Sequence, residues 1–64
     1  MYDNAEFWTE DRCIQQRTCL HNVFLNPAKF PKADSEALWH QIVELEAHML
    51  TAFPTVKTMR ALTT

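Results

Sequence analysis

A chain of 64 residues has room for one domain, and at that size folding buries only about 60% of the surface that the unfolded chain exposes, so an added staple is expected from a disulfide, a metal or a partner chain. Eight acids against six bases, scattered along the chain and summing to −2, exclude a protein whose main work is to neutralise phosphate. A hydrophobic content of 47% excludes a disordered tail.

The N-terminal Met1-Tyr2-Asp3-Asn4 is acidic and no apolar core of signal-peptide length follows it, so a cytoplasmic location is expected, with Cys13 and Cys19 reduced. Apolar runs such as Val23-Phe24-Leu25 fall far short of a bilayer span, and no membrane role is expected. Glycine is absent, which disfavours a β-rich fold with tight hairpin turns. Pro27, Pro31 and Pro54 supply the punctuation instead.

The first predicted helix starts at Thr9, whose hydroxyl can cap it while Glu10 and Asp11 occupy the first turn near the positive end of the dipole. Trp8 and Cys13 would then form a hydrophobic staple. A competing start at Asp3, with Glu6 three residues on, would add a turn or two. Either helix stops by Leu25 or Asn26, because a residue before proline is pushed out of the α region.

The connector from Asn26 to Ala33 has a length found between antiparallel helices, and Phe30, set between two prolines, is expected to fold inward and plug the open end. Asp34 or Ser35 caps the second helix, where Leu38, Ile42, Leu45 and Met49 recur at spacings of four, three and four on one stripe. Pro54 ends that helix near Phe53. Beyond it Val56, Met59 and Leu62 repeat every three residues, predicting a short third helix or a strap across the hairpin. The fold class expected is all-α: a single domain over 1–64, a two-helix antiparallel hairpin with a short C-terminal helix or strap, dimerising into a four-helix bundle.

Candidate chemistry is sparse. Six residues along a helix set Cys13 and Cys19 about 9 Å apart in rise and about 120° apart in direction, too far for one zinc ion or for a disulfide. His40, Glu44 and His48 make a polar line along the second helix, more simply a solvated face than a metal site. The bases Arg12, Arg17, Lys29 and Lys32 make a weak patch whose simplest purpose is solubility, and the long, proline-rich connector rules against a helix-turn-helix. No catalytic residue, cofactor or metal is expected, and the protein is not expected to be an enzyme.

Apolar surface is left over. Trp39, Val43 and Leu50 project about 100 to 140° from the Leu38 stripe, too far to face the same neighbour, and Leu20 and Phe24 diverge likewise from Trp8, Cys19 and Val23. One hairpin would leave the second stripe exposed, whereas two packed together would cover both. The expectation is a homodimer acting as a small regulatory or adaptor protein through protein–protein interaction, with an interface drawn from Trp8, Val23, Trp39, Val43, Leu50 and Phe53. A heterologous protein partner is the nearest variant. A chain of this length without catalytic motifs is expected as an accessory protein of a bacterium, phage or plasmid. In architecture alone the layout resembles the Rop-like RNA-binding hairpins of plasmid copy-number control, which makes a nucleic-acid-binding helical dimer the alternative and carries no residue across.

Overall fold

The computed structural model describes residues 4–63, which form three α-helices and, among the described residues, no strand: α1 (Glu10–Leu25), α2 (Ser35–Ala52) and α3 (Val56–Thr63). No helix among them is long and apolar enough to cross a membrane.

Local chemistry sets the ends. Thr9, extended at φ −70° and ψ 167°, accepts the Arg12 amide on its hydroxyl. Ahead of it the carbonyl of Asn4 accepts from the amides of Phe7 and Trp8, forming a turn in place of an earlier helix start. Asp3, the competing cap, lies outside the described residues. Asp34 Oδ1 accepts from the amides of Glu36 and Ala37 and caps α2. Asn26 and Phe53, each followed by proline, end α1 and α2 with nearly the same geometry, φ −126° and ψ 63° against φ −131° and ψ 67°. With no glycine to take the left-handed cap, both helices stop where proline forbids the next α residue.

α1 and α2 run antiparallel. Phe24 meets the ring of Trp39 near the connector, and seven residues back along α1, Arg17 meets Glu46, seven residues on along α2. Cys13 and Leu20 from α1 and Ile42, Leu45 and Met49 from α2 are buried between them. Trp8, Ile14, Phe24, Leu38, Phe53 and Leu62 close over this cluster half-buried. The Leu38 stripe is therefore the core face of α2, and Trp8 reaches the cluster that contains Cys13, as a staple would. Phe30 is half-buried under the Lys29 ammonium but is not among the side chains on the core, so it does not plug the hairpin.

The C-terminal segment is a helix, with a different inner face from the one its apolar period suggests. Val56 and Met59 are exposed, while Thr58 is fully buried and Ala61 and Leu62 are half-buried. Polar contacts explain the change. Thr55 caps α3 by accepting the Thr58 amide on its hydroxyl. The hydroxyls of Thr55 and Thr58 both donate to Glu10 Oε2, and Lys57 pairs with Asp11. At the other end Arg17 donates through Nη1 to the Ala61 carbonyl at 2.6 Å and through Nη2 to that of Leu62 at 3.4 Å. α3 thus runs alongside α1 with a carboxylate at its N-terminus and a guanidinium at its C-terminus, matching its dipole at both ends.

Candidate interaction face

The outer stripe of α2 is set by helix geometry alone. Trp39, Val43 and Leu50 fall within about 40° of one another around the axis, roughly 110° from the buried Leu38 stripe. They are 52%, 47% and 45% exposed with α3 in place, so the C-terminal helix leaves this face uncovered. Ala47, also exposed, lies on the same side and fills the turn between Val43 and Leu50 with a methyl group.

The other predicted interface residues are placed differently. Trp8 and Phe53 pack against the core of their own chain at the end where α1 begins and α2 stops, and Val23 is half-buried on α1. Trp39 is the anchor of the outer stripe: one side of its indole rests on Phe24, with ring centroids 5.7 Å apart, and the rest faces solvent. Aromatic side chains held in one orientation and half-exposed have the character of binding hot spots. Leu25 and Met59 are also exposed; the angle of Leu25 from the α1 core positions could have marked it, whereas Met59 falls in the apolar period of α3 and carries no such signal.

Of the four bases that could have made a patch, Arg17 is withdrawn from the surface. Arg17 is buried, 6% exposed, and its guanidinium is divided between Glu46 Oε1 at 3.3 Å and the α3 carbonyls. The Arg12 guanidinium lies 4.5 Å over the ring of Phe7, and Lys57 is held by Asp11.

Both thiols are free. Cys13 sits in the core, where burial pushes its pKa above the ordinary value and keeps it protonated at neutral pH. Cys19 is exposed beside a shallow recess of about 200 Å³ lined by Phe7, Trp8, Arg12, Gln15 and Gln16, smaller than the ~300–1,000 Å³ of ordinary ligand sites. His40 and Glu44 are exposed, and His48 stands edge-on to Phe53 with centroids 6.1 Å apart. Among the described residues no three His, Cys, Asp or Glu side chains converge as a metal site.

Comparison of the chain with protein-family models, curated proteins and solved structures returns no significant match.

Proposed function

We propose that this chain is a small non-enzymatic regulatory or adaptor protein that acts through protein–protein association, as a homodimer built on the outer face of α2. One observation carries the reading: Trp39, Val43 and Leu50 form a single exposed apolar stripe on an ordered helix, left open by the chain's own third helix. Apolar surface gathered on one side of a folded unit marks an association site more often than scattered single residues do. A small fold also gains stability from such contact, since its own core rests on five buried apolar side chains.

The nucleic-acid alternative loses support from the fate of the bases. Of the six, Arg17 is enclosed and Lys57 is paired, leaving four on a chain of net charge −2, too few for a strong phosphate footprint.

Sedimentation velocity of the wild-type chain and of a Trp39→Ala/Leu50→Lys variant tests the proposal. The wild type is expected to sediment as a dimer and the variant as a monomer that keeps most of its helical signal, because a lysine can reach solvent from a free surface but not from a closed interface. A monomeric wild type, or a variant that stays dimeric, overturns it.

A further inference from the structure

We propose that the recess on the outer flank of α1 is a docking site for one acidic side chain of a protein partner, its carboxylate taken by the Arg12 guanidinium and its stem laid against Phe7 and Trp8. The site shares no residue with the outer stripe of α2. It therefore goes beyond the homodimer reading and stands apart from it.

Two segments build the recess. Arg12, Gln15, Gln16 and Cys19 fall within an arc of about 100° on α1, centred roughly 100° from the buried Cys13 and Leu20 and turned away from Glu10 and Arg17, where α3 rests. The turn ahead of the helix supplies the other wall. Its Phe7 and Trp8 amides donate to the Asn4 carbonyl, and Trp8 packs on the core of the chain, with the Phe7 ring set edge-on to it at 5.1 Å between centroids. Phe7 in turn carries the Arg12 guanidinium 4.5 Å above its ring.

Charge defines the occupant. A ring beneath a guanidinium uses none of its N–H donors, which lie in the guanidinium plane, and among the described residues no side chain or carbonyl takes those of Arg12. The nearest acids of α1 are committed to α3: Glu10 accepts from Thr55 and Thr58, and Asp11 holds Lys57. The positions three and four away from Arg12 are Trp8, Thr9, Gln15 and Gln16, none of them an acid. A fork held in place with open donors, beside aromatic carbon, is complementary to a carboxylate on a short apolar stem. A phosphate would call for a second base, and the recess lining holds one. Size sets the other limit. A cavity of about 150 Å³ takes a benzene, so a recess of about 200 Å³ takes a single side chain and not a cofactor.

Cys19 reports occupancy, because its thiol is exposed beside the recess. The wild-type chain is mixed at matched ionic strength with the capped peptide acetyl-Phe-Glu-Leu-amide or with its counterpart acetyl-Phe-Gln-Leu-amide. Contact through one side chain is weak, so each peptide is used at about 10 mM, against a Kd on the order of 1 mM. The glutamate peptide is expected to slow maleimide labelling of Cys19 about fivefold and to shift the Arg12 Nε–H resonance, and the glutamine peptide to do neither. Arg12 is exposed, so Arg12→Gln should keep the fold, as circular dichroism checks, and lose both responses. Responses that fail to appear, that the glutamine peptide matches or that survive Arg12→Gln overturn the site. Equal responses to sodium acetate overturn docking of a protein side chain, since a free carboxylate would then suffice. Sedimentation of the wild-type chain reads the homodimer separately, so the failure of either reading leaves the other standing.

Discussion

Glu10 and Arg17 stand two turns apart on the same side of α1, and the two ends of α3 rest on them: the Thr55 and Thr58 hydroxyls on the carboxylate, the Ala61 and Leu62 carbonyls on the guanidinium. Seven residues of helix rise about 10.5 Å and eight about 12 Å, so one helix measures out the other. An isolated helix of eight residues is not stable in water, and α3 is helical because it is docked.

Replacing Arg17 with methionine should therefore release α3. The methionine keeps the apolar stem and removes the donors that Glu46 and the terminal carbonyls of α3 share, and Glu46 keeps His21 at 3.9 Å. The expected loss is about 1.5–3 kcal/mol, the range for hydrogen bonds to a charged group. Hydrogen exchange should rise at the α3 amides first, while α1 and α2 around Leu45 stay protected; uniform loss of protection would show that α3 is not a separable unit.

Acid should loosen the same helix from its other end. Hydrogen bonds from Thr55 and then Thr58 hold the Glu10 carboxyl below its ordinary value of 4.5, with the nearby Lys57 charge adding to them. A depressed carboxyl contributes stability that is present above the unfolded value and is lost as pH falls through the folded one. α3 docking should thus be insensitive to Glu10 titration near neutrality and weaken below about pH 4.5. Lys57 shifts the opposite way, raised by its hydrogen bond and charge contact with Asp11, so its contribution is lost only as pH climbs through its folded value above 10.5. Glu10→Gln should remove Glu10's share of the acid response of the α3 amides in NMR. An unchanged acid profile would assign the whole response to other carboxylates.

The two long helices were legible in the sequence because their signals are local. Thr9 and Asp34 cap them, a proline follows each end, and Leu38, Ile42, Leu45 and Met49 repeat at the helical period. The outer stripe of Trp39, Val43 and Leu50 was legible for the same reason, as a set of positions too far around the axis to join the core. The inner face of α3 was not. Val56 and Met59 advertise an apolar face, yet buried Thr58 decides the orientation through Glu10, which is 48 positions away in sequence. Arg17 likewise reads as one more surface base until the carbonyl ends of α3 are placed against it. Long-range polar pairing leaves no periodic trace.

Leu45 lies fully buried at the middle of the core stripe, between Ile42 and Met49. Leu45→Ala should cost about 2–5 kcal/mol, a large fraction of what so small a fold can hold. Urea denaturation should show a lower midpoint with little change in slope, or no folded baseline at all. A midpoint within error of wild type would mean that the core can close over the lost side chain.

The two cysteines should separate by reactivity. Cys13 is buried and held protonated, whereas Cys19 lies open on α1. A maleimide reagent under native conditions should label one thiol per chain quickly, at Cys19 by peptide mapping, and the second only on unfolding. Rapid double labelling would place the opening of the α1–α2 core on the timescale of the reaction.

Association should be written into thermal stability. If folding and dimerisation are linked, each tenfold rise in protein concentration adds about 1.4 kcal/mol per dimer. Two chains of 64 residues unfolding together carry an entropy of about 2.1 cal/mol/K per residue, so the midpoint should climb by about 5 °C per decade of concentration. Circular dichroism melts over two decades would resolve such a slope. The Trp39→Ala/Leu50→Lys chain, deprived of its outer stripe, should melt lower and with no slope. Should the wild-type midpoint also ignore concentration, the α1–α2 core is stapled within the chain by α3, through the Glu10 and Arg17 contacts, and the apolar stripe on α2 does not stabilise it by pairing with its own copy.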